Sequence, residues 1–221
     1  MTLAIPTQPR TPDPDHSASQ RLVLYGISWE RYEAIAEALS EQHIFLTYDK
    51  GTLEFMSPSP RHEMLGLLIA RMIHTYTQVR RIPIFSLGMT TWKRRDLEKG
   101  LEADQCFYVQ HELQMRQKRQ VDLTIDPPPD LAIEVDLSHS SMEKQNIYAA
   151  LAVPELWRYE GGRLFPMVLK GGNYIESTAS PAFPRLAVGE LARFIEMRNS
   201  MGETELICAF QDWVEQNSGL E

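Results

Sequence analysis

The chain has 221 residues, a formal charge of −8, 43% hydrophobic residues and 24% charged ones, the balance of a globular protein with one sizeable domain. It has no run of about 18 apolar residues, so no membrane span is expected, and no apolar leader region, so no secretory signal is expected either. Cys106 and Cys208 form no CxxC pair, which argues against a disulfide framework or zinc site and makes the reducing cytoplasm the expected compartment.

Residues 1–20 carry Pro6, Pro9, Pro12 and Pro14 and few large apolar groups; they read as a disordered arm. Ser28 then suits the N-cap of a helix with Trp29, Tyr32, Ile35, Ala36 and Leu39 on one face. "IFLTYDKGTLEFMS" alternates on both sides of Asp49-Lys50-Gly51, the pattern of a hairpin whose glycine supplies a positive φ. In "SPSPRHEMLGLLIARMIHTYTQ", Ser59 caps and Pro60 opens a long helix. Its Leu65, Leu68, Ile69, Met72, Ile73 and Tyr76 recur at helical spacing, so it packs on something large.

Strand-like runs follow: "IPIFSL", "MTTWK" and "LEADQCFYV". Residues 80–119 hold nine Lys/Arg against five Asp/Glu, a local excess of positive charge in an acidic chain. Lys93-Arg94-Arg95 and Arg116, Lys118 and Arg119 are the candidate phosphate contacts, or else plain solvated loops. Next comes "PDLAIEVDLSHSSMEK", then a helix for which Ser140-x-x-Glu143 reads as a capping box and Pro154 as the stop. "ELWRY", "RLFPMVLK" and "NYIES" read as three strands joined by Gly161-Gly162 and Gly171-Gly172. The tail from about 188 to 216 reads as helical. The order gives an α/β (α+β-like) layout with a central mixed sheet flanked by helices.

The stretch from Pro129 alternates strictly. Leu131, Ile133, Val135 and Leu137 fall on one face, and Asp130, Glu134 and Asp136 on the other, with same-face neighbours roughly 7 Å apart. Such carboxylates repel unless water or a cation intervenes. A strand with one wet face explains the alternation alone. Two further features point elsewhere. Asp104 lies in a run whose same-parity neighbours are Cys106 and Tyr108. Lys144 lies in the first turn of the next helix, where the dipole disfavours a cation. Two acids and a lysine suit hydrolysis of a phosphodiester with Mg²⁺ or Mn²⁺, which prefer oxygen ligands and keep several waters.

Residues 28 to 175 resemble the Uma-type family of restriction-endonuclease-like proteins, part of the PD-(D/E)XK nuclease superfamily. The stretches that carry the likeness are "EADQCFYVQHE", "VDLTIDPPPDLAIEVDLSHSSMEKQNIYAALAVPELWRY" and, more weakly, "FMSPSPRHEMLG". The resemblance implies a restriction-endonuclease-like core over residues 21–180, with 181–221 as a C-terminal helical extension. It gives Asp104 the place of the superfamily's first aspartate and Glu134 that of the (D/E). A metal would then sit between these carboxylates and the carbonyl of Val135, with Glu63 as an accessory acid. The chain departs from the pattern at Ala103-Asp104, which replaces Pro-Asp, and at Asp136, which stands where the superfamily keeps its lysine. That lysine's place is taken by Lys144, and the literal Pro129-Asp130 is a decoy whose Asp130 is secondary. The implied activity is a Mg²⁺-dependent endonuclease acting on DNA, expected as a cytoplasmic homodimer. The alternatives are a nuclease-fold binding or assembly protein without cleavage and, more remotely, a glycosidase, which would leave Lys144 without a role.

Overall fold

A computed structural model describes residues 19–137 and 142–217. In chain order the elements are β1 (Gln20–Leu24), α1 (Trp29–Ala38), β2 (Phe45–Asp49), β3 (Thr52–Ser57), α2 (Pro60–Arg80), β4 (Phe85–Ser86), β5 (Thr90–Arg94), β6 (Lys99–Ala103) and β7 (Gln105–Tyr108). They continue with α3 (Glu112–Met115), β8 (Leu131–Asp136), α4 (Lys144–Ala150), β9 (Glu155–Glu160), β10 (Arg163–Lys170), β11 (Asn173–Glu176), α5 (Glu190–Met197) and α6 (Glu203–Gln216).

Local chemistry sets the early elements. The Ser28 hydroxyl accepts the Arg31 N–H and starts α1. Lys50 and Gly51 both take positive φ, 45° and 91°, the two-residue turn that matches strand twist in a hairpin. Ser59 accepts the His62 N–H, and Pro60 follows it at the first helical position of α2. Residues 1–18 of the expected arm lie outside the described residues, whereas Gln20 already belongs to β1, an element that sequence reading does not anticipate.

The strands form two sheets. One is antiparallel, in the order β1-β3-β2-β6-β5; the other is mixed, in the order β11-β10-β9-β8-β7-β4. Among the described residues only β8 and β9 pair in parallel, and α4 supplies the crossover that a parallel pair requires. The run "LEADQCFYV" is therefore not one strand. It breaks at Asp104, with β6 in the first sheet and β7 in the second.

β8 is buried on both faces, so the wet-faced reading of its alternation does not hold. On one side Leu131, Ile133 and Val135 meet the apolar stripe of α2, joined by Phe183, Phe194 and Phe210. On the other, Ala132 packs with Cys106, Tyr108, Ile147 and Tyr148. A third cluster seats α1 on the first sheet through Trp29, Tyr32, Leu46, Tyr48 and Leu53. No helix among the described residues is long and apolar enough to cross a membrane.

Candidate active site

The carboxylates meet where the two sheets join. In the β7–β8 ladder Gln105 stands opposite Ile133, and one step further back the register brings Asp104 beside Glu134. Asp104 is 3% exposed and Glu134 8%. Asp104 Oδ2 accepts the Val135 N–H at 2.7 Å, which pins the side chain to the backbone one residue beyond Glu134. His62 Nε2 lies 3.2 Å from the same oxygen. Asp104 Oδ1 is buried with no hydrogen-bond partner.

Glu134 is held from α4. Lys144 Nζ donates to Oε2 at 2.7 Å, and the Tyr148 hydroxyl donates to Oε1. The two donors stand four residues apart, on one helix face. The helix starts later than the sequence suggested. Ser140 lies outside the described residues, and Glu143 occupies the N-cap without a side-chain cap bond. Lys144 is thus the first helical residue.

These groups tune one another. Burial works against the charged form of Asp104, but the His62 bond, the nearby Lys144 charge and the Val135 N–H outweigh it and hold the carboxyl below its usual range. Glu134 is pushed up, first by burial and then by the Asp104 charge, against the pull of Lys144 and Tyr148. Lys144 is also raised: burial opposes its charge, but Glu134 and Asp104 together overcome burial. The partners do not mirror each other because Lys144 faces two anions, whereas Glu134 faces a cation and an anion. Burial and the Glu134 charge lift the Tyr148 hydroxyl well above its ordinary value, so it stays a donor. Burial lowers His62, but the bond and charge of Asp104 raise it by more.

The remaining candidates lie differently. The N–H of Val135 is the group engaged by Asp104. Glu63 sits beside the site, but its carboxylate faces His43 at 3.4 Å and His62 Nδ1 at 3.7 Å. Asp136 Oδ2 receives Arg158 Nη2 at 3.2 Å. Asp130 stands about 13 Å along the strand from Glu134, at about 3.3 Å per residue. Its oxygens take the N–H groups of Val109 and His111 and the His111 ring, which ties down the loop after β7. The basic cluster is committed to ion pairs: Lys93 with Glu33, Arg94 with Asp96, and Arg95 with Glu30 and Glu33. Lys118 pairs with Asp126, and Arg116 with Glu112.

Sequence reading overlooks four residues around the carboxylates: Arg21, His62, Tyr148 and Arg158. A cleft of about 340 Å³ opens over Glu134 and is lined by Arg21, His62, Asp136, Lys144 and Arg158; Tyr148 lies beneath it. The spacing Lys144-x-x-x-Tyr148 is the one signal that could have flagged Tyr148.

Among the described residues no group of three or more His, Cys, Asp and Glu side chains is arranged to hold a metal ion. The two carboxylates nevertheless suit a cation that keeps most of its waters. Asp104 Oδ1 is an unpartnered anionic acceptor, and each Glu134 oxygen has a second lone pair beyond its one hydrogen bond.

The family model Uma2, "Putative restriction endonuclease", matches residues 29–195. No curated protein matches the chain.

Proposed function

The chain belongs to the Uma2 family, and from that membership and the site we propose that it is a metal-dependent endonuclease that hydrolyses phosphodiester bonds in DNA. The observation that carries this reading is the meeting of Asp104, Glu134 and Lys144 at one sheet junction, with Asp104 Oδ1 buried and unpartnered.

Asp104, Glu134 and the carbonyl of Val135 would hold Mg²⁺ or Mn²⁺. Such a cation, when bound, supplies an acidified water and a counter-charge for the phosphoryl oxygens. The rest falls to the chain. His62 and the Val135 N–H fix the Asp104 carboxylate through Oδ2, leaving Oδ1 unpartnered. Tyr148 fixes Glu134 from below. Lys144 is held as an ammonium by two carboxylates, so it donates hydrogen bonds and positive charge to an oxygen that becomes more negative as the bond breaks. Water exclusion around the buried pair strengthens that interaction. We extend the reading to a cytoplasmic homodimer. The edge strand β11, with Ile175 half exposed, is the candidate contact, and sedimentation with Ile175→Asp checks it.

The test is cleavage of supercoiled DNA by the purified protein with Mg²⁺ or Mn²⁺. Nicking is expected, and Glu134→Ala should abolish it; activity that persists in this variant would sink the assignment. A binding or assembly module without cleavage is favoured by one observation. Both Glu134 oxygens already carry a donor, from Lys144 and Tyr148. Calorimetry separates the two, since such a module would release no heat with Mn²⁺.

A further inference from the structure

Asp136 occupies the position, two residues after Glu134, where the resemblance expects a lysine. Its carboxylate instead grips an arginine. Arg158 stands opposite Glu134 in the parallel β8–β9 ladder, and directly paired residues share a sheet face. Asp104, just before β7, Glu134 on β8 and Arg158 on β9 thus form one row. Arg158 Nη2 is fixed by Asp136 Oδ2 and Glu160 Oε2, each at 3.2 Å. A guanidinium carries five N–H donors in a rigid fork. Its donors other than Nη2 are bonded to no described residue, and the side chain is 22% exposed at the cleft.

A second cation reaches the same cleft from the other sheet. Arg21 on β1 lines it and is oriented by Glu54 at 2.8 Å. It lies close enough to Lys144 for their charges to repel. Carboxylates already balance these cations, so what the cleft offers a ligand is the fixed N–H fork of Arg158 rather than an excess of charge. Arginine binds phosphate through parallel N–H bonds, which suits this task better than a point charge does. The basic residues of β5 and the turn after it pair with carboxylates of α1 and with Asp96, and none of them lines this cleft.

The geometry points to a phosphate-binding subsite made by Arg158 and Arg21, which holds the phosphodiester adjoining the one to be cut. Asp136 serves there as a positioning residue for Arg158. This subsite rests on the nucleic-acid reading above and adds to it a path for the strand, across β8 and β9 over the Asp104–Glu134–Arg158 row.

The test is binding of a fluorescein-labelled single-stranded DNA oligonucleotide to the full chain by anisotropy, over a range of salt, with Ca²⁺ replacing Mg²⁺. Arg158→Ala should weaken binding by about 10- to 100-fold, as for a lost charge-assisted contact. It should also reduce the slope of log affinity against log salt by about 0.7, the value of one phosphate contact on a single strand. Arg158→Lys should keep the slope and lose part of the affinity, and Arg158→Gln stands in if the alanine variant fails to fold. An unchanged slope in Arg158→Ala overturns the subsite, even if affinity falls, because a merely structural role leaves the slope alone. Absence of oligonucleotide binding by the wild type overturns it too. Arg158-dependent binding without Glu134-dependent cleavage leaves the subsite standing and removes the catalytic reading; cleavage with Arg158-independent binding does the reverse.

Discussion

The Lys144–Glu134 pair is where stability and proposed chemistry meet in single residues. Both side chains are about nine-tenths buried. Pairs this deep contribute little net stability, because desolvation offsets most of the attraction, but removing one partner strands a charge. Lys144→Met should therefore destabilise the metal-free protein by about 3–5 kcal/mol. The double variant Lys144→Met/Glu134→Gln should recover much of that loss, because the buried anion that remains, Asp104, keeps His62 and the Val135 N–H. Urea unfolding in a chelating buffer measures both. If the single and double variants lose the same stability, the pair is not coupled as its geometry indicates. His62 shows why residue-scale reading stops short. A histidine in the first turn of an amphipathic helix looks the same whether it faces water or Asp104, and only the packed sheets decide. Arg158 is similar: its parity within "ELWRY" was legible, but which parity faced the carboxylates was not.

Between elements, the close approach of α1 to the first sheet depends on one glycine. Gly100 in β6 has no Cβ, and one placed there would lie 2.5 Å from the Tyr32 hydroxyl and 3.2 Å from Lys93 Cβ. Tyr32 is fully buried and stacked on Tyr48, so it cannot swing away without breaking the α1 cluster. Gly100→Ala is expected to cost about 1–3 kcal/mol, the range for overpacking a filled core, read as a lower urea midpoint with unchanged slope. Elements whose instructions are local were legible in the sequence. The Ser28 and Ser59 caps, the Lys50-Gly51 turn, and the glycine pairs between β9, β10 and β11 all lie where their residues indicate. Elements defined by distant partners were not. β1 is five residues of "QRLVL" that gain strand identity only by pairing with β3. The break at Asp104 falls inside a continuous β-prone run, and nothing in that run tells the chain to change sheets. The start of α4 was displaced because a serine–glutamate spacing suggests a cap without showing that it forms.

At the scale of the whole molecule, Asp104 links the two sheets and Glu134 lies at the heart of the second. A cation bound to both would therefore add a tie at a junction already bridged by the hydrogen bond from the Val135 N–H to Asp104. The clusters on the two faces of β8 run from α2 and the C-terminal helices to α4, so a local gain at the carboxylates is shared by one cooperative unit. Ligand binding stabilises by mass action, by about 2.7 kcal/mol at 100 times the dissociation constant. For a chain of this length that corresponds to a rise in melting temperature of about 5–10 °C. Mn²⁺ at that excess should produce the rise in the wild type, a chelator should reverse it, and Glu134→Ala should remove it. Asp104→Asn should weaken it as well, since the amide keeps the side-chain shape but gives up the charge at the unpartnered Oδ1 position. A melting temperature that does not respond to Mn²⁺ in the wild type would favour the non-cleaving module, because Asp104 and Glu134 would then be holding Lys144 in place without binding a metal.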